Sequence, residues 1–163
     1  MDNKEPLPSH AFVPGGKWPR PREGCPPAQP LHDANGSGFA VLDRGIELFN
    51  AGFYWEAHEV WESLWHAEGR TGPHADVVKA LIKLGAAGVK VREGQSRGVS
   101  THARRAADLF DTVRAAIGPV WFGLDLEPLS VFARETAQNP PEDPLPRGTQ
   151  ISIVFAFRLE RRS

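Results

Sequence analysis

A single cysteine, Cys25, has nothing to pair with inside the chain, which excludes an internal disulfide framework and a cysteine-rich zinc site. Long apolar runs are missing too. No stretch reaches the ~20 residues of a membrane-spanning helix, and the N-terminus lacks a basic segment followed by an apolar run of about 7–15 residues. The expectation is a soluble, cytoplasmic protein with no membrane partner. Nor is there an excess of one charge: 19 basic and 20 acidic residues leave a net charge of −1. Such a molecule carries no overall field to gather nucleic acid, so a nucleic-acid partner is not expected.

Helix-breaking residues are concentrated at the two ends. Eight of the 15 prolines fall in the first 30 residues and four more lie from Pro140 to Pro146. At 163 residues the chain suits one domain, commonly ~100–150 residues. The proline distribution then predicts an extended proline- and glycine-rich arm over 1–38, a helical body over 39–138, and a proline-rich loop with a tail over 139–163. The arm reads either as a disordered leader or as a strap docked through Phe12, Val13 and Trp18.

What the middle holds is helical periodicity. Phe39, Leu42, Ile46 and Phe49 recur at three and four residues and predict a first helix, ended by Asn50-Ala51-Gly52. The stretch LFNAGFYWEAHEVWESLW, Leu48 to Trp65, then concentrates aromatic and acidic side chains on a second helix starting near Phe53. At about 100° per residue, Tyr54, Ala57, Trp61, Leu64 and Trp65 share one apolar stripe. His58, Glu62 and His66 follow one another at i, i+4 along its border, with Glu59 beside Glu62. Glu56 and Ser63 are expected to face water.

A third helix, starting between Pro73 and Asp76, buries Val77, Leu81, Leu84, Gly88 and Val91. Its small residues from Gly85 to Gly88 let a neighbouring backbone come close, and Lys79, Lys83 and Lys90 line another face. Beyond Gly94 a fourth helix, Ser96 to Ile117, is expected to turn Val99, Ala103, Ala106, Phe110, Val113 and Ile117 inward. Gly118-Pro119 closes it. Trp121, Phe122 and Leu124 cap the end of the bundle, and Asp125 opens a short fifth helix reaching about Ala137. In the tail Ile151, Ile153, Phe155, Phe157 and Leu159 alternate with the period of a strand, a terminal helix being the other reading. The predicted fold is therefore all-α: a compact bundle of two packed helical hairpins plus a short fifth helix, with an extended arm and a strand-like tail. The helix–glycine–helix unit around Gly52 is echoed around Gly94, in the manner of the paired helices of tetratricopeptide repeats.

Three segments together resemble one family. GIELFNAGFYWEAHEVWESLW at Gly45 to Trp65, ALIKLGAAGVKVREG at Ala80 to Gly94 and LPSHAFVPG at Leu7 to Gly15 are similar to the domain of unknown function 309 family, with EAHEVWE at Glu56 to Glu62 the most specific part. The resemblance implies an α-helical bundle with no assigned activity. It also implies a glutamine where this chain has Lys83 and a histidine near Val89 or Lys90, so any pocket built on those two residues is altered here.

Two functional readings follow from the second helix. In the first the protein is a binding or scaffold module, with no cofactor, whose aromatic and acidic groove between the second and third helices is lined by Tyr54, Trp55, His58, Glu59, Trp61, Glu62, Trp65 and Lys83. Its partner would be a small molecule, another protein or a second copy in a homo-oligomer. In the second it is a metal-dependent, hydrolase-like enzyme in which His58 and Glu62 bind a divalent metal, completed by Glu59 or His66 and drawing on a remote ligand such as His102. The row is not H-E-x-x-H, because Glu62 stands four residues after His58, and no second Glu-x-x-His helix accompanies it. Against both stands a structural role, with His58 bonded to a carbonyl and Glu62 or Glu59 paired with Lys83 across the seam, which burial rules favour. The basic residues Lys79, Lys83, Lys90, Arg104 and Arg105 form a third, anion-binding possibility that the near-zero net charge opposes. Cys25 reads as an incidental thiol.

Overall fold

The computed structural model describes residues 5–21, 28–31, 37–145 and 150–162; Cys25 lies outside them. Among these residues there are five helices: α1 (Ser37–Asn50), α2 (Tyr54–Ala67), α3 (Pro73–Glu93), α4 (Ser96–Ile117) and α5 (Leu126–Gln138). Each packs on the next in sequence, so the body is a compact all-α bundle. No helix is long and apolar enough to cross a membrane.

Local chemistry sets the boundaries. Gly94 takes the left-handed conformation (φ 71°) that ends α3, with the backbone N–H groups of Gly94 and Gln95 closing on the carbonyls of Val91 and Lys90. Pro73 opens the same helix, where its missing N–H costs nothing. Of the α4 residues expected inward, Ile117 is instead 44% exposed, at the helix end. Between α4 and α5 the chain makes a two-stranded antiparallel hairpin, β1 (Val120–Trp121) with β2 (Leu124–Asp125). Nothing in the residue pattern announces it, since two-residue strands leave no period to read. It presents Trp121 and Leu124, each 2% exposed, to the end of the bundle.

The core forms where α2 presses on α1 and α3. A Cβ placed on Gly45 of α1 would lie 2.1 Å from Trp61 Nε1, and one on Gly88 of α3 would lie 2.4 Å from the Tyr54 ring. Backbone approach at both helices thus makes room for the two buried rings of α2. Trp61 is fully buried and donates Nε1–H to the Leu42 carbonyl at 3.2 Å.

The arm and the tail are both laid over this body. Ala11, Val13 and Leu31 are buried, the N–H of Phe12 donates to Glu56 Oε2 at 2.9 Å, and Arg44 donates to the carbonyls of Glu5 and Pro6. Trp18 stacks on His10 at 4.1 Å. The tail departs from the expected pattern: it forms neither strand nor helix among residues 150–162 and bends at Ala156. Its alternating set is not one buried face either, because Phe155 and Leu159 are buried whereas Ile151 and Ile153 are 40% and 60% exposed. Side chains take the place of a partner strand. Tyr54 Oη accepts from the N–H of Val154, and Asn50 bonds both the N–H and the carbonyl of Leu159 at 2.8 Å.

Candidate functional site

Helix α2 places its polar residues by the rule that buried Tyr54, Ala57, Trp61 and Leu64 on one face, which leaves the others along its flanks. Glu56 in the first turn and His66 in the last complement the helix dipole. His58 is half-buried. Its Nδ1 lies 2.5 Å from the carbonyl of Trp55, so Nδ1 carries a proton and, in the neutral imidazole, the lone pair is on Nε2. That nitrogen lies 3.5 Å from Glu59 Oε1.

Glu62 comes up on the following turn. One ligand atom each from His58, Glu59 and Glu62 lie within 4.8 Å of one another, a spacing at which one ion can be held. An imidazole whose other nitrogen is fixed by a backbone carbonyl is the arrangement that orients histidine ligands in metal sites. His66, expected to extend the row, is exposed and outside the cluster; its Nδ1 accepts from Arg70 Nε at 2.9 Å. Among the described residues the three groups form the one such set.

The facing helices bring charge of the opposite sign. Lys83 on α3 is half-buried; its ammonium is held below the ordinary lysine value by burial and by Lys79 and Arg105, against the pull of Glu62. On α4, burial together with Lys83, Lys90 and His58 keeps His102 below the ordinary imidazole value, so it stays neutral at neutral pH. Neither Lys83 nor His102 has a hydrogen bond or ion pair among the described residues. Lys79 instead sits over the Trp65 ring at 5.4 Å and Lys90 pairs with Glu93 at 3.5 Å.

The aromatic residues expected to wall a groove separate into two groups. Tyr54 and Trp61 are core residues, 2% and 0% exposed, with their polar atoms bonded to the tail and to α1. Trp55 and Trp65 are half-buried. Trp55 is covered by the arm, edge-on to Phe12 at 4.9 Å and under Arg20 at 5.8 Å, and its ring also meets His58. Trp65 lies between Lys79 and Arg70 with its indole Nε1 buried and unbonded.

Three polar features escaped the sequence. Glu56, expected in water, is half-buried under the arm with Oε1 unbonded, and burial raises its carboxyl above the usual value. Arg92, in the last turn of α3 beside Lys90 and Glu93, is 3% exposed; it pairs with Asp143 at 2.6 Å and donates to the Gln150 carbonyl. His74 Nδ1 accepts from Trp121 Nε1 at 2.9 Å. All three depend on partners 44 to 58 residues away in sequence. No local pattern hints at them, since even Arg92 stands between Lys90 and Glu93 in a charged helix end.

The fold and this site define a class: a helical bundle with one half-exposed His/Glu set on its aromatic helix. Residues 42–101 match the family model described as Domain of unknown function (DUF309), from early α1 into the first turns of α4 and including the whole of α2. This is the family that the EAHEVWE stretch resembles, and its description assigns no activity. No curated protein and no solved structure matches the chain.

Proposed function

We propose that the protein is a binding module whose site is the polar seam of α2 with α3 and α4, and that His58, Glu59 and Glu62 take one divalent cation there. The observation that carries this reading is the convergence of the three ligand atoms within 4.8 Å, with His58 already turned by the Trp55 carbonyl. Mixed nitrogen and oxygen donors suit zinc, manganese or iron, and three protein ligands leave positions open for water or a bound molecule. Two carboxylates three residues apart on one helix also repel each other, a cost that a cation removes.

Calorimetric titration of the protein with zinc and manganese tests this. The expected result is saturable binding of one equivalent, abolished by His58→Ala and strongly weakened by Glu62→Gln, with the helical circular dichroism of both variants unchanged. Absence of saturable binding to the wild-type chain sinks the reading and leaves Glu62 as a counter-ion for Lys83.

A metal-dependent hydrolase is the second reading. What favours it is His102, neutral and close enough to His58, Lys83 and Lys90 to feel their charge, so that it can accept a proton beside the site. Metal-stimulated hydrolysis of simple nitrophenyl esters or phosphates that His102→Asn reduces would support it. Metal binding without such turnover would confine the protein to binding.

A further inference from the structure

Beside the His58 set lies a basic patch with no acid of its own. Helix α3 packs between α2 and α4, and its face between the two, made of Lys79, Ile82, Lys83, Ala86 and Lys90, is half-exposed. On one side a Cβ placed on Gly85 would lie 2.9 Å from His58 Cβ, so the backbone of α3 abuts the histidine of α2. On the other side a Cβ on Gly98 of α4 would lie 2.9 Å from Lys90 Cδ. His102 follows Gly98 by one turn and Arg105 follows His102 by three residues. Because α4 runs back along α3, both stand on the side of α4 that borders Ala86 and Lys83.

The cations of this patch are not equivalent. Lys79 Nζ lies over the Trp65 ring at 5.4 Å, and Lys90 reaches Glu93 and Gln95. The side chains of Lys83, His102 and Arg105 have no hydrogen bond or ion pair among the described residues. Lys83 is nevertheless near enough to feel the charges of Glu62 and Arg105, and His102 near enough to feel that of His58. An ammonium half withdrawn from water without a partner loses hydration and gains nothing in return. The near-zero net charge of the chain opposes a field over the whole surface, and leaves such a local excess untouched.

Charge selects the class of ligand that would meet both the cation and these groups. One divalent cation offsets Glu59 and Glu62, so Lys83 and Arg105 remain as unmatched positive charges, with His102 as a further donor. A carboxylate brings one negative charge and two acceptor oxygens. A phosphate brings roughly two charges at neutral pH and at least three acceptor oxygens, enough to serve the cation and the basic groups together. We infer that the seam binds a phosphate dianion, with one oxygen on the cation held by His58, Glu59 and Glu62 and the others on Lys83, His102 and Arg105. The inference rests on the cation reading, and its ligand is either free phosphate or the phosphoryl group of an organic molecule.

Calorimetry on the full chain, run in two stages, tests this. Manganese is titrated first, and an absence of saturable binding removes the cation reading and this inference together. Inorganic phosphate, phenylphosphonate as a non-hydrolysable phosphoryl group on an organic body, and acetate are then titrated into the manganese-loaded protein. At least one of the two phosphorus probes should bind at one equivalent, the tighter of them identifying the source, and should bind the metal-free chain at least about tenfold more weakly. Lys83→Gln and Arg105→Gln should each weaken that binding by roughly tenfold with the helical circular dichroism unchanged. In Lys83→Gln manganese affinity should hold or rise, since a positive charge near Glu62 has gone. Manganese binding without anion binding, acetate binding as tightly as phosphate, or anion affinity indifferent to both substitutions would overturn the inference and leave the cation site standing. A Lys83→Gln protein that loses manganese would overturn it as well, by making the lysine a support of the ligand set.

Discussion

Two polar clusters meet α3, one near its C-terminus and one at its middle, and they are built on different terms. Near its C-terminus, Arg92 and Asp143 are sealed from solvent; Asp143 also accepts from the Ser152 hydroxyl at 2.7 Å and the Leu145 N–H at 3.1 Å. Facing the middle of the helix, His58, Glu59 and Glu62 come from one helix, remain half-exposed, and are held by a single bond to their own backbone. The first cluster bonds Arg92 Nε and Nη2, leaves Arg92 Nη1 buried without a partner, and ties the tail to the bundle. The second keeps lone pairs to spare. Polar groups spent on architecture are here closed off from water and bonded across the chain, whereas those left for a ligand stay open to solvent and are bonded only locally.

The sharpest way to break the comparison is to remove one charge of the sealed pair. Arg92→Met leaves Asp143 buried without its cation and should cost about 3–5 kcal/mol in urea denaturation. Pairing it with Asp143→Leu should recover most of that loss, whereas recovery would not be expected if the arginine acted through packing alone. A smaller effect is expected where α2 meets α1. Gly45→Ala puts a methyl group into the Trp61 indole and should cost about 1–3 kcal/mol. If its melting temperature equals that of the wild type, the close approach of the two helices is not what the structure shows.

How far these features could be read from residues alone depended on the distance over which they act. The helices were legible because their apolar spacing, Gly94 and Pro73 are local, and the His58–Glu62 row was legible because one turn of one helix contains it. The small residues of α3 also announced a close neighbour. Glu56, Arg92 and the course of the tail were not legible, since each is decided by a partner from another part of the chain: Phe12, Asp143, and Tyr54 with Asn50. Alternation over Ile151 to Leu159 pointed to a strand, but none forms among the described residues, and side chains of α1 and α2 bond the tail's backbone instead.

Glu56 gives a third and weaker test, because it belongs to neither cluster. Burial raises its carboxyl in the folded chain, so the folded state holds its proton to higher pH than the unfolded state does. The resulting penalty is absent below the ordinary carboxylate value of 4.5 and grows as pH rises through the folded value. Glu56→Gln keeps an acceptor for the Phe12 N–H and removes the charge. It should therefore stabilise the protein by up to about 1 kcal/mol at neutral pH, with the gain disappearing in acid. A variant equally or more stabilised at low pH would show that the charge is not the cause.

The open set on α2 is examined most directly by substoichiometric manganese and the amide resonances of the protein. Paramagnetic broadening should centre on Trp55 to Glu62 and on the facing turns around Gly85 and His102, and Glu62→Gln should remove it. Broadening centred on another acidic surface, or spread evenly over the exposed carboxylates, would contradict a cation site at His58, Glu59 and Glu62.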